Sequence, residues 1–372
     1  MTVTLTSGAD ALNLTWPDGT TGHFPYLWLR DTDPGGFHPQ TGERMFDLTS
    51  VDLDIAPVQA KVDGAALVLR WPEAETDSRF DLDWIKAHRP GQRRADPAHV
   101  PATPWRADLG ASGVPRFAVT DLDDAARFAD WLAATKRYGL SIVTGLPDDP
   151  EAGLDCARRI GHLRETNFGV TFEVISKPDP NNLAYTADAL PLHTDLTNQD
   201  LPPGYQFLHC IANEAQGGGS TFCDGIAVAE DLRDADPQAF DLLTRVTVPF
   251  RFHDQHTDIR SRKTVIVLNE TGNVSEICFN AHLADIMDLA ADQLPAFYRA
   301  YRSFMQRLRS PDYGIALKLA AGEMVVFDNR RTLHGRQSFD PATGRRHLRG
   351  AYVDRGEWDS RMRVLAQANQ HP

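Results

Sequence analysis

Short β-strand signals dominate the chain after residue 190 and constrain its fold more than any other feature. Apolar or alternating runs predict strands at 205–212, 264–268, 324–327 and 347–353. Amphipathic spacing predicts helices at 229–244 and 293–309. Because these strands and helices do not alternate regularly, a doubly wound parallel sheet is disfavoured. We therefore predict a mainly β architecture, a sandwich or barrel with flanking helices.

The N-terminal part of the chain has a different character. Short extended-looking runs at 26–30 and 66–71 are separated by Pro, Gly and Asp clusters, which is typical of a small β-rich module. The stretch 87–116 is rich in Pro, Arg and Ala and resembles a linker. For this chain of 372 residues we therefore predict two domains, a small β-rich one over 1–95 and a larger one over 96–372.

Charge and hydrophobicity exclude several function classes. The chain carries 38 Lys and Arg against 51 Asp and Glu, a net charge of −13, whereas nucleic-acid backbones are bound by concentrated basic residues. No secretory signal begins the sequence, and no apolar run reaches the length of a membrane helix. We therefore expect a cytoplasmic protein with no nucleic-acid partner and no membrane partner.

The four cysteines are widely spaced and form no C-x-x-C motif. They are Cys156, Cys210, Cys223 and Cys278. We expect free thiols in a reducing compartment, with a single disulfide bridge as the alternative.

The motif H-x-D occurs twice, at His193/Asp195 and at His256/Asp258. On an extended strand, residues i and i+2 project to the same side and can hold one metal ion from one face. Two histidines and one carboxylate are also the donor set of non-haem Fe(II) sites. His193 follows an apolar run and precedes a predicted strand, whereas His256 lies in the highly charged stretch 251–263, which is typical of a solvated loop. We interpret His193 and Asp195 as the functional pair.

A third ligand should come from a later strand that folds back beside the first. In the segment 322–335 a strand and a polar turn are followed by His334. Further on, Arg346 and Tyr352 share one face of a predicted strand because side chains alternate along it. An arginine that projects inward beside a metal needs an anionic partner, and a bidentate carboxylate is the natural one. A surface arginine cluster is the alternative interpretation.

These motifs resemble those of the taurine dioxygenase-like superfamily of Fe(II)/2-oxoglutarate oxygenases, and more closely its γ-butyrobetaine hydroxylase branch. The resemblance covers nearly the whole chain. It rests on motifs in the family's order: LWLRD at 27–31, DWI at 83–85, NLAY at 182–185, LPLHTD at 190–195, QFLHC at 206–210, GGSTF at 218–222, FDN at 327–329, LHGR at 333–336 and RHLRGAY at 346–352.

The resemblance implies a double-stranded β-helix, or jelly roll, as the catalytic domain. It implies a dioxygenase that binds Fe(II), consumes 2-oxoglutarate and O2, hydroxylates a C–H bond and forms a homodimer. His193, Asp195 and His334 would be the iron ligands. Arg346 would hold the distal carboxylate of 2-oxoglutarate, with Ser220 near this cosubstrate.

The same resemblance implies a small trimethylammonium acid as substrate, either γ-butyrobetaine or a close analogue. A quaternary nitrogen has no N–H to donate, so aromatic faces are its main specific partners. The residues that match the aromatic cage are Phe168, Phe172, Tyr185 and Tyr352. Asn182 and Asn280 match positions that hold the acidic end. Ordinary core packing is the alternative role for each aromatic, and 2-(trimethylamino)ethylphosphonate is the alternative substrate.

One departure from the family concerns metal in the N-terminal domain. Many relatives bind a structural zinc there through cysteines just after the Trp-Leu-Arg-Asp motif and a later histidine. The segment 30–39 contains no cysteine, and His38 alone cannot form a tetrahedral site, so we expect no zinc. Two other function classes stay open at this point: a mononuclear metal hydrolase with a metal-bound water, and a jelly-roll binding protein without catalysis.

Overall fold

The computed structural model describes residues 2–175 and 186–368. Contacts between residues divide the chain into two units, Met1–Asp96 and Pro97–Pro372. Of the helices in the described ranges, none combines the length and the apolar character that crossing a membrane requires.

The N-terminal unit contains two three-stranded antiparallel sheets, with strand orders β1-β2-β3 and β4-β5-β6. Its elements are β1 (Thr4–Ser7), β2 (Ala11–Thr15), β3 (Thr21–Pro25), α1 (Tyr26–Asp31), β4 (Gln59–Asp63), β5 (Ala66–Arg70), β6 (Ser78–Asp81) and α2 (Leu82–Ala87). The prediction of an extended run at 26–30 is wrong, because this segment is α1. Tyr26 and Leu29 are its buried residues, and their i, i+3 spacing places them on one helical face.

A buried polar network lies in this unit. The indole Nε1 of Trp71 donates to Ser78 Oγ at 2.8 Å, and the Ser78 hydroxyl in turn donates to the carboxylate of Asp33. Asp33 also accepts from the backbone N–H of Gly35 at 2.9 Å, and its carboxylate lies 3.6 Å from the guanidinium of Arg30. The segment that follows α1 is thereby tied to strand β6.

The larger unit is built mainly from strands. They are β7 (Arg116–Ala118), β8 (Leu140–Thr144), β9 (Thr171–Val174), β10 (Leu190–His193), β11 (Tyr205–Asn213), β12 (Gln216–Gly217), β13 (Ser220–Asp224), β14 (Thr247–His253), β15 (Asp258–Thr264), β16 (Ile266–Leu268), β17 (Val274–Ile277), β18 (Gly314–Leu317), β19 (Met324–Asp328), β20 (Thr332–Arg336), β21 (Phe339–Asp340) and β22 (Arg346–Val353). Its helices are α3 (Ala125–Tyr138), α4 (Ala152–Arg158), α5 (Gly225–Ala235), α6 (Pro237–Arg245), α7 (Leu294–Arg309) and α8 (Arg355–Ala368).

Eight of these strands wind between two sheets. One sheet has the order β7-β8-β19-β11-β22-β9, and the other has the order β10-β20-β13-β18. Counted along the chain as β9, β10, β11, β13, β18, β19, β20 and β22, strands one, eight, three and six are neighbours in the first sheet. Strands two, seven, four and five are neighbours in the second. This order is that of a jelly roll, which confirms the predicted fold of this unit.

Side-chain alternation along the strands divides the apolar residues between two layers. Val325 and Phe327 of β19 enter the core between the sheets, where the Phe327 ring lies 5.4 Å from that of Phe222 on β13. Met324 and Val326 project to the other side and pack with residues of α3, α4 and α8. The residues between the two sheets therefore form an apolar core, and Leu208 and Leu348 of this core also line a cavity.

A long insertion, 225–309, separates β13 from β18, and its structure corrects three predictions. The single helix predicted at 229–244 is two helices, because Asp236 caps α6 and Pro237 occupies its first turn. The stretch 251–263 is mostly strand, since β14 and β15 form a hairpin in which Phe250 and Phe252 alternate inward. The strand predicted at 264–268 begins only at residue 266 as β16.

Candidate active site

Two histidines face each other across neighbouring strands of the smaller sheet. His193 ends β10 and is the direct cross-strand partner of His334 on β20, and their ring centroids are 4.3 Å apart. Asp195 follows two residues after His193. Its Oδ1 lies 3.2 Å from His193 Nε2 and 3.6 Å from His334 Nε2. One potential ligand atom from each of the three residues lies within 4.8 Å of the others.

The protonation states of these residues fit a divalent metal ion. The Nδ1 of His193 pairs with the carbonyl of Pro191 at 2.8 Å, which leaves the lone pair on Nε2 facing the other two ligands. Burial lowers the pKa of His334 to about 3, so this imidazole is neutral. Burial also acts to raise the pKa of Asp195, but both histidines and the Tyr352 hydroxyl outweigh it and hold this pKa well below its usual range. Two imidazoles and one carboxylate on one side of a cavity form a donor set suited to Fe(II) with open coordination positions.

An anion-binding corner lies in the same cavity. Arg346 begins β22 and is buried, and its Nε donates to the Gly218 carbonyl at 3.3 Å. Burial, together with the nearby guanidinium of Arg336, lowers the pKa of Arg346 to about 10. Within residues 2–175 and 186–368, no carboxylate forms an ion pair with Arg346. Ser220, at the start of β13, lines the same cavity. This corner can accept the carboxylate of a small ligand.

Aromatic rings form another wall of this cavity. Phe172 on β9 stacks on Tyr352 of β22 with centroids 5.1 Å apart, and Phe168 meets Phe252 edge to face at 5.3 Å. Phe252 is absent from the sequence prediction, because the charged residues around it favoured a loop. The alternation of apolar residues along β14 was the signal that could have found it.

Of the two asparagines predicted to bind the acidic end of the substrate, Asn280 lies within the described residues and Asn182 does not. Asn280 lines the cavity, but its amide is largely engaged: Nδ2 donates to the Thr194 carbonyl at 3.1 Å, and Oδ1 accepts from the Leu283 N–H at 3.0 Å. One N–H of this amide is therefore used to hold the loop that carries Asp195. Asn182 and Tyr185 lie outside the described residues.

Several cavity residues were missed by the sequence prediction. His282 contacts His193 edge to face with centroids 4.8 Å apart, and burial lowers the pKa of His282 to about 4. Gln206 is the cross-strand neighbour of Tyr352, and its buried Oε1 accepts no hydrogen bond from the described part of the chain. Arg336 donates to backbone carbonyls at 186 and 188. Gln206 and Arg336 belong to quoted family motifs, whereas a lone histidine such as His282 gives no comparable signal.

The second H-x-D motif lies elsewhere. Asp258 opens β15, and its carboxylate is bound by Arg251 at 2.8 Å and by Arg260 at 2.7 Å. The two arginines neutralise the Asp258 carboxylate, so it needs no metal ion as a partner. In the described ranges, His193, Asp195 and His334 form the only cluster that could hold a metal ion.

A jelly roll that holds two histidines and an aspartate beside a buried arginine defines a class of metal-dependent oxygenases. Comparison with known proteins agrees: the family model of the taurine catabolism dioxygenase TauD, TfdA family matches residues 98–352. The chain belongs to this family, and it is a dioxygenase that uses Fe(II) and 2-oxoglutarate.

Individual relatives match over almost the full length. The chain is 42% identical to the γ-butyrobetaine dioxygenase of Pseudomonas sp. (strain AK-1), with 96% of this chain and 94% of that protein covered. It is 32% identical to the human γ-butyrobetaine dioxygenase, with 97% and 95% covered. It is 30% identical to the mitochondrial trimethyllysine dioxygenase of Rattus norvegicus, with 93% and 83% covered.

Proposed function

We propose that this dioxygenase hydroxylates γ-butyrobetaine. The observation that carries the proposal is a single cavity in which the His193, Asp195 and His334 cluster faces a wall of aromatic rings. The full-length likeness to γ-butyrobetaine dioxygenases from a bacterium and from humans supports the same substrate.

The chain's own residues divide the work of the reaction. His193, Asp195 and His334 hold the iron, and Arg346 with Ser220 receives the distal carboxylate of 2-oxoglutarate. Bound Fe(II), together with 2-oxoglutarate and O2, supplies the oxidation that inserts a hydroxyl group into an unactivated C–H bond. The protein contributes orientation of the substrate and exclusion of water, since apolar side chains line most of the remaining cavity.

The aromatic wall suits the trimethylammonium group. Its stacked and edge-to-face pairs present ring surfaces, and each ring contact with a quaternary cation contributes about 0.5–2 kcal/mol. Asp195 is the only acidic residue among those that line the described cavity, and it is occupied as a metal ligand. Recognition of the cation therefore depends on Phe168, Phe172 and Tyr352 together with Phe252.

The acidic end of the substrate takes polar partners. The unused N–H of Asn280 is one candidate donor. A phosphonate such as 2-(trimethylamino)ethylphosphonate shares the ammonium group and differs in its anionic end. The experiment below therefore treats it as a separate arm.

The test measures succinate formed per hydroxylated product, with Fe(II), 2-oxoglutarate and O2 supplied. We expect stoichiometric succinate with γ-butyrobetaine, less with the phosphonate analogue, and only a low uncoupled background without either. His193→Ala should abolish both metal binding and succinate formation. Equal succinate with and without the ammonium compounds would refute the proposed substrate, and a higher yield with the phosphonate would reassign it.

Oxygen dependence separates this function from the two other classes. A metal hydrolase should turn over anaerobically with zinc, and a binding protein should bind ligand equally well after His193→Ala. We expect no anaerobic turnover and loss of 2-oxoglutarate-dependent binding in the variant.

We also propose that the protein acts as a cytoplasmic homodimer and that its N-terminal unit holds no zinc. The absence of zinc is supported by the segment 30–39, which contains no cysteine and only one histidine, His38. Light scattering during gel filtration tests the dimer, and metal analysis of the purified protein tests the zinc content.

A further inference from the structure

The side chain of Asn329 is paired with the backbone of Asp195. Asn329 follows β19 directly and is fully buried. Its Oδ1 accepts from the Asp195 N–H at 2.7 Å, and its Nδ2 donates to the Asp195 carbonyl at 3.1 Å. The same Nδ2 donates to the Pro203 carbonyl at 3.2 Å. One carboxamide therefore satisfies both backbone polar groups of Asp195, as a neighbouring strand would.

The next residue has an unusual conformation. Leu196 has a φ of 55°, and among all described residues it is the only one other than glycine with a positive φ. The left-handed region is unfavourable for a leucine because its Cβ approaches the following carbonyl. Such a conformation persists only where the surrounding structure fixes it, and strained residues of this kind cluster at functional sites. Leu196 is buried and lines the cavity.

We propose that Asn329 is a positioning residue for Asp195, and that it does so by holding the chain in the left-handed turn at Leu196. Fixing the peptide groups on both sides of Asp195 fixes the direction of its Cα–Cβ bond. That direction brings Oδ1 to 3.2 Å from His193 Nε2 and 3.6 Å from His334 Nε2. Without this pairing, Leu196 relaxes to a right-handed or extended conformation and the carboxylate turns away from the histidines.

The proposal rests on the metal-ligand role of Asp195 in the proposed function, so its test measures metal binding directly. The probe is Co(II), titrated anaerobically by calorimetry and followed by its visible absorption. We expect Asn329→Ala to raise the Co(II) dissociation constant at least tenfold, the range seen when partners of metal ligands are removed. If both His193→Ala and Asn329→Ala bind Co(II) as the unchanged protein does, the proposed metal site is wrong. If His193→Ala loses Co(II) binding and Asn329→Ala keeps it, only the proposal for Asn329 fails.

A matched control separates positioning from general stability. Ser141 on β8 is fully buried and bonds to Trp131 Nε1 at 3.0 Å and to Thr135 Oγ1 at 2.7 Å, away from the cavity. Ser141→Ala should lower the unfolding temperature but leave Co(II) affinity within about twofold, because effects at distant sites are independent. An equal loss of Co(II) affinity in Ser141→Ala and Asn329→Ala would overturn the proposal.

The strain at Leu196 provides a rescue experiment. Glycine adopts the left-handed conformation without steric cost, so Leu196→Gly should restore part of the Co(II) affinity lost in Asn329→Ala. The Co(II) affinity of the single variant Leu196→Gly serves as the reference for the double variant. Failure of Leu196→Gly to restore any affinity in the double variant contradicts the proposal. Asn329→Ser, whose side chain is too short to pair with both groups, replaces Asn329→Ala in all arms if the alanine variant does not fold.

Discussion

The hydroxyl of Tyr352 donates a hydrogen bond to Oδ2 of Asp195 at 2.7 Å. The ring of the same residue stacks on Phe172 in the aromatic wall, so one side chain contacts both the metal-ligand cluster and the proposed ammonium site. The sequence predicted only the second contact. A single tyrosine therefore joins the metal-ligand cluster to the proposed ammonium site.

Two substitutions of Tyr352 should separate these roles. Tyr352→Phe keeps the ring and removes the hydrogen bond to Asp195, which costs about 1.5–3 kcal/mol for a charged acceptor. We expect weaker Fe(II) or Co(II) binding and an almost unchanged KM for γ-butyrobetaine. Tyr352→Leu removes the ring as well and should raise this KM further. Calorimetric metal titration and steady-state kinetics on both variants measure the two effects, on metal affinity and on KM, separately. An unchanged metal affinity in Tyr352→Phe would contradict the prediction.

Gly350 determines where the Phe172 ring lies. The two residues are cross-strand partners on β22 and β9, and a Cβ at position 350 would lie 2.3 Å from Phe172 Cζ. Gly350→Ala therefore forces the ring to move, and overpacking of this kind costs about 1–3 kcal/mol. We expect a higher KM for γ-butyrobetaine and a lower unfolding temperature.

Gly314 on β18 is the matched control for this prediction. The nearest atom to a Cβ there is the Phe222 carbonyl oxygen at 4.0 Å, so Gly314→Ala should leave the KM unchanged. Shortening the ring residue with Phe172→Leu should recover the stability of Gly350→Ala but not its KM. Equal kinetics in the two alanine variants would show that position 350 does not act through Phe172.

Arg346 should destabilise the protein in the absence of its anionic partner. It is buried, has no carboxylate partner in the described ranges, and its pKa is lowered to about 10 by burial and by Arg336. An unpaired buried charge is unfavourable, so Arg346→Gln should raise the free energy of unfolding without ligand by about 1 kcal/mol. The same variant should bind 2-oxoglutarate far more weakly. Unfolding curves with and without 2-oxoglutarate test both effects, and unchanged stabilisation by this ligand would exclude Arg346 as its site.

The parts of the fold that the sequence predicts well depend on short-range patterns. The strands predicted at 205–212, 324–327 and 347–353 agree with the observed ones within one residue at each end, because their side chains alternate with period two. The run 26–30 is helical instead, since four apolar and aromatic residues in a row fit either period. The pair Asp236-Pro237 is a helix-start signal inside the predicted helix 229–244, and it marks the point where α6 begins.

The parts of the site that the sequence does not predict depend on contacts between distant segments. His193 and Asp195 share a local motif, but the pairing of Asn329 with Asp195 joins residues 134 positions apart. The left-handed turn at Leu196 likewise has no sequence signal, because leucine does not favour that conformation. Such contacts follow from strand register, which a single sequence does not specify between distant strands.

The N-terminal unit should be stabilised by its polar network rather than by a metal. Ser78 is buried, accepts from Trp71 Nε1 at 2.8 Å and donates to Asp33. Ser78→Ala leaves the buried Trp71 Nε1 without its acceptor and removes one of the donors to Asp33, so we expect a loss of about 2 kcal/mol in the free energy of unfolding of this unit. A zinc chelator should leave the unfolding temperature of the unchanged protein unaltered, because the segment 30–39 contains no cysteine and His38 alone cannot form a tetrahedral site. Urea unfolding followed by tryptophan fluorescence, with and without chelator, checks both expectations. A chelator-induced drop in stability that Ser78→Ala does not reproduce would assign the stability of this unit to a metal instead.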